Sequence, residues 1–107
     1  PDVGELFKRY LNDQPFRVLF ATESEQAIQL ARAEQPTLII LDIMLPGSDG
    51  WEVLQNLKNH PTTERIPVLI CSVLDAPDLA YSLGANGYLR KPPGRADFLT
   101  MLAQLGT

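Results

Sequence analysis

The chain has 107 residues, 45% of them apolar and 21% charged, enough for one domain folded around a core rather than a disordered segment. Nine Lys/Arg against thirteen Asp/Glu leave a net charge of -4, which argues against duplex nucleic acid as a partner because phosphate binding needs a basic face. One cysteine excludes an internal disulfide framework and fits a reducing compartment, and no apolar run approaches a bilayer span, so a soluble cytoplasmic domain away from the membrane is expected.

The chain opens Pro1-Asp2, which is not a translational start, so a removed or upstream segment is expected. Val3, Leu6, Phe7, Tyr10 and Leu11 recur at helical intervals and predict a first helix. Phe16–Phe20 then reads as a strand. Ala27, Ile28, Leu30 and Ala31 predict a second helix, starting at Thr22 or Ser24, with Glu25 three residues after Thr22. Leu38–Leu41 is the next strand, followed by a helix through Trp51, Leu54 and Leu57 that starts at Ser48 or Asp49. Val68–Cys71 and Tyr88-Leu89 are further strands, and Phe98, Leu99, Leu102 and Leu105 mark a last helix. Pro15, Pro36, Pro61 and Pro67 punctuate the joins. Strands alternating with helices imply a parallel sheet with right-handed crossovers, hence a doubly wound α/β fold.

Open α/β sheets bind ligands at the carboxyl ends of their strands. Asp42, Ser72 and Lys91 each stand where an apolar run stops. A carboxylate between Leu41 and Ile43 is costly if buried, and tolerable where solvent, a cation or Lys91 reaches it. A strand-end Asp satisfied by backbone amides is the alternative reading. Ser72 or Lys91 alone carries little, since most such residues bond nearby backbone or water. Together, a carboxylate nucleophile, a hydroxyl and an ammonium suit a phosphoryl group.

Three segments carry a family resemblance: Asp42-Ile43-Met44-Leu45-Pro46-Gly47-Ser48-Asp49-Gly50, Ile66-Pro67-Val68-Leu69-Ile70-Cys71-Ser72, and Gly84-Ala85-Asn86-Gly87-Tyr88-Leu89-Arg90-Lys91-Pro92. In this order the chain resembles the receiver domain of two-component response regulators over essentially residues 1–107. The resemblance implies a flavodoxin-like (CheY-like) fold and a phosphoryl group accepted from a histidine kinase or phosphotransfer protein. By the same resemblance Asp42 is the phosphoacceptor, and Ser72 bonds the phosphoryl oxygens in the active state. Lys91 pairs with Asp42 and then with the phosphoryl group. Tyr88 holds the aromatic switch position, Pro92 the Lys-Pro linkage, and the Met44 backbone carbonyl faces Mg²⁺. The chain is then a phosphoacceptor rather than an enzyme, with at most slow self-catalysed transfer and dephosphorylation.

The pattern also departs from the family. The first strand and its acidic pair are absent, which leaves an N-terminally truncated receiver of four strands. Mg²⁺ then keeps only Asp42 and the Met44 carbonyl, so its binding is expected to be weak or absent. Without that strand the chain must close the gap, lose Phe16–Phe20 from the sheet, or borrow pairing in a homodimer or strand-swapped oligomer. The segment from Ser72 to Tyr88 is short, so the helix around Asp78–Leu83 is expected to be short too.

A phosphorylation-deficient interaction or dimerisation module is the alternative function. An Asp-nucleophile phosphohydrolase is disfavoured, because Met44 stands where a second carboxylate is needed. An attached output or kinase domain is expected outside the sequence. His60 reads as a solvated helix end and Cys71 as a small core residue. Arg90, Lys91 and Arg95 are too few for a nucleic-acid patch but are placed to steer phosphate.

Overall fold

The computed structural model describes residues 18–21, 24–43, 49–91 and 93–105. Along them alternate β1 (Val18–Ala21), α1 (Ser24–Glu34), β2 (Leu38–Leu41), α2 (Gly50–Lys58), β3 (Val68–Ser72), α3 (Pro77–Ser82), β4 (Gly87–Arg90) and α4 (Arg95–Gln104). The helix predicted over Val3–Leu11 lies outside the described residues, as do Thr22, Met44, Ser48 and Pro92.

The strands form one parallel sheet in the order β1-β2-β3-β4. Of the three fates open to the first predicted strand, the structure shows the gap closed: Val18 pairs with Leu38 and Ala21 with Leu41. The direct pairing leaves β1 at one edge of the described sheet and β4 at the other.

Side-chain alternation explains why β2 and β3 are apolar at nearly every position. Leu19, Ile39, Leu41, Val68 and Ile70 meet Ala27 and Ala31 of α1, Val53, Leu54 and Leu57 of α2, and Ala80 of α3. Leu38, Ile40, Leu69 and Cys71 point the other way, onto Phe98 and Leu102 of α4. Both faces are therefore covered, as a buried parallel sheet requires. The outer strand β4 is only half-buried at Tyr88 and Leu89.

One strand and one helix run further than their apolar residues suggest. β3 continues to Ser72, which pairs with Arg90 of β4, so both polar residues are held in the ladder. α4 starts at Arg95, three residues before the apolar stripe, because the extended Gly94 opens the helix with a polar first turn. α3 is short, at six residues, as the spacing predicts.

The end of the sheet away from the strand carboxyl ends is tied by side chains. The Val68 amide donates to Asn86 Oδ1 at 3.0 Å, while the Asn86 amide donates back to the Val68 carbonyl at 2.9 Å. Lys58 Nζ donates to the Ile66 carbonyl at 2.9 Å, and burial lowers its pKa. His60 is half-buried rather than solvated: its Nδ1 lies 2.7 Å from Thr62 Oγ1 and accepts the Thr62 amide at 3.2 Å.

Candidate functional site

Asp42 is the first residue beyond β2, where the apolar run ends. The register pairs Leu41 with Ile70, so one step further sets Asp42 level with Cys71 and beside the end of β3. Lys91 is the first residue beyond β4, and its amide donates to the Ser72 carbonyl at 2.9 Å. That bond aims the lysine back across the sheet, where its ammonium donates to Asp42 Oδ2. The Asp42 side chain keeps 29% of its exposure and Lys91 keeps 20%. A reagent can therefore reach the carboxylate, while the partly dry setting strengthens its attraction to the ammonium.

The stretch after Asp42 is held by α2. Asp49 caps this helix by accepting the Trp51 amide on Oδ1 at 2.9 Å. The Gly50 amide donates to the Ile43 carbonyl at 3.2 Å. A Cβ at Gly50 would lie 2.4 Å from both the Cα and the carbonyl oxygen of Ile43, so only glycine permits this approach.

Ser72 is the last residue of β3 and is fully buried. Its Oγ accepts the Leu74 amide at 3.1 Å; a hydroxyl that accepts in this way still has its own proton to donate. Tyr88 packs partly against the larger core cluster. Its hydroxyl donates to the Leu74 carbonyl and accepts the Ala76 amide at 3.2 Å. Ser72 and Tyr88 thus hold the same loop, residues 73–76, both at Leu74 and Tyr88 also at Ala76.

Cys71 is a buried core residue, as expected. Burial pushes its thiol up to about 11, with Lys91 pulling down and Asp42 pushing up. In the unfolded chain the thiol ionises near 9.0, so stability falls as pH climbs from about 9 toward about 11. At pH 8 a disulfide reagent is expected to label Cys71 only as fast as the chain unfolds. Labelling at the rate of a free thiol would remove this account of its burial.

For Mg²⁺, Asp42 fits as a half-exposed carboxylate at a strand end. No group of three or more His, Cys, Asp or Glu that could hold a metal occurs among the described residues, and the Met44 carbonyl lies outside them. The sequence reading missed Gly50, which it quoted within a motif without a role. It also missed Asp75, and it placed Arg90 with Lys91 and Arg95 as a phosphate-steering cluster. Arg90 also reaches Asp75 and the Val73 carbonyl.

Comparison with known proteins agrees with this geometry. The model of the response regulator receiver domain family matches residues 1–103. The response regulator PleD of Caulobacter vibrioides is 37% identical over 90 residues, covering 81% of this chain and 20% of that protein. The chain spans from a fifth to about half of the length of PleD and of other curated relatives such as GtcR and ycf29. Among solved structures, a response regulator from Chloroflexus aurantiacus superposes with a TM-score of 0.86 at 28% identity, covering 98% of this chain and 89% of that one. The BeF3-activated receiver domain of RstA from Klebsiella pneumoniae gives 0.83 at 30% identity, covering 100% and 92%. The fold is that of the flavodoxin-like receivers, and the chain belongs to the response regulator receiver domain family.

Proposed function

We propose that Asp42 accepts a phosphoryl group from a histidine kinase or phosphotransfer protein and that the new charge resets the loop at residues 73–76. The observation that carries this reading is the Lys91 ammonium lodged on a carboxylate that remains partly exposed. A carboxylate oxygen attacks phosphorus, the bond from phosphorus to the donor breaks, and its electron pair leaves with the donor. The product carries about -1.5 to -2 charge and three acceptor oxygens. Lys91 answers the charge, and Ser72 donates its hydroxyl to one of the oxygens.

Receiver domains generally bind Mg²⁺ in this cleft. Here Asp42 would hold the ion, which neutralises negative charge on the transferring group. Activation of the RstA receiver by BeF3 supports the same chemistry for this chain. The greater length of the relatives supports an attached output domain, and membership of the receiver family supports a cytoplasmic signalling role. No described helix is long and apolar enough to cross a membrane. A phosphorylation-deficient interaction module is the second reading, in which Asp42 does no more than pair with Lys91.

Intact-mass measurement after incubation with acetyl phosphate and Mg²⁺ separates the two. A gain of about 80 Da, one phosphoryl unit, is expected, while an unchanged mass would leave the interaction module. Ser72→Ala should still gain the mass but lose most of the accompanying shift in the Leu74 and Ala76 amide resonances.

A further inference from the structure

The loop between β3 and α3 is tied to more than Ser72 and Tyr88. Arg90 sits opposite Ser72 in the β3–β4 register, and its side chain crosses to the same loop. Its Nε donates to the Val73 carbonyl at 3.4 Å, and one terminal nitrogen lies 3.9 Å from Asp75 Oδ2. With side chains 63% and 70% exposed, the ion pair alone contributes little. What gives Arg90 weight is that it holds the loop at two points, one on each side of Leu74. Leu74 is where Ser72 Oγ and the Tyr88 hydroxyl both attach.

We infer that Arg90, braced by Asp75, is a positioning residue that fixes the loop so that Ser72 keeps its hydroxyl turned toward a group on Asp42. This rests on the phosphoacceptor reading of Asp42 and adds a residue to it. Ser72 Oγ accepts the Leu74 amide, so where Leu74 is held the oxygen is held too, and its own proton is free to turn to an acceptor on Asp42. Val73 and Leu74 are exposed, at 57% and 39%, so packing restrains this loop weakly and the polar ties decide its position. Loosening Arg90 lets the loop drift, takes Ser72 off the phosphoryl oxygens and admits water to the acyl phosphate.

The full chain, charged with acetyl phosphate and Mg²⁺ and then freed of donor, is followed by intact mass as the acyl phosphate decays. Arg90→Ala is expected to shorten the half-life about threefold, a change of the size weak polar ties produce. Arg90→Lys, which keeps a donor and the charge, should recover most of the loss. In a Ser72→Ala background Arg90→Ala should have no further effect, because the residue acts through Ser72. An unchanged half-life in Arg90→Ala, or an equal shortening with Ser72 absent, overturns the inference and leaves the Asp42 assignment standing. A wild-type chain that never gains mass removes both.

Discussion

Asp42→Asn is expected to reduce phosphoryl uptake from acetyl phosphate to background while leaving the chain folded. The amide nitrogen is not a nucleophile toward phosphorus, and its lone pair is drawn into the carbonyl, so the reacting atom is lost outright. The amide oxygen, however, can still accept from the Lys91 ammonium, which now donates to Oδ2. Lys91 therefore keeps an acceptor, and the stability change stays near about 1 kcal/mol, the worth of a hydrogen bond. Asp42→Ala should cost more, on the order of 2–3 kcal/mol, because it strands a four-fifths-buried ammonium. Lys91→Met isolates the charge itself: the stem still packs, yet uptake slows by roughly 100-fold, the usual effect of removing one donor from a developing anion. Denaturant melts give the stability order and mass spectrometry the uptake. An Asp42→Asn chain that still gains the phosphoryl mass would place the acceptor elsewhere.

How far the sequence announced this site depends on the kind of property concerned. Asp42, Ser72 and Lys91 could be read because each ends an apolar run, and a parallel sheet gathers strand ends on one side. The core was legible for the same reason: uninterrupted Leu38–Leu41 and Val68–Cys71 demand cover on both faces, and α1 to α4 provide it. Exposure was not legible. The sequence presents Ser72 as one more strand-end hydroxyl, but pairing with Arg90 extends β3 and buries it completely. Pairing between β1 and β2 was also open, since the hydrophobic pattern can set a register only once it is known which strands meet. Arg90 and Asp75 are two charges far apart in the chain with no pattern to join them. Their tie exists only once β4 lies beside β3.

Gly50 shows the same limit most sharply, and it yields the largest expected loss of stability. Its role is a distance: a single added carbon would sit 2.4 Å from the backbone of Ile43, the residue next to Asp42. Backbone cannot step aside as the tip of a side chain can, so Gly50→Ala must push the start of α2 away from the end of β2. That movement stretches the 3.2 Å bond from the Gly50 amide to Ile43 and disturbs Val53 and Leu54 in the core. Overpacking of this kind costs about 3 kcal/mol, a fall in Tm on the order of 15 °C for a domain of this size. Gly94→Ala is the matched control, because the nearest atom to its added carbon is Asp97 Oδ2 at 3.7 Å, ordinary contact. That change should cost no more than about 1 kcal/mol, the helix-start preference for glycine over alanine. The Gly50→Ala protein, assayed below its lowered Tm, should also take up the phosphoryl group more slowly, since the carboxylate moves with Ile43. Equal melting temperatures for the two variants would mean that the close approach of α2 to the Asp42 strand end is not what holds the site in place.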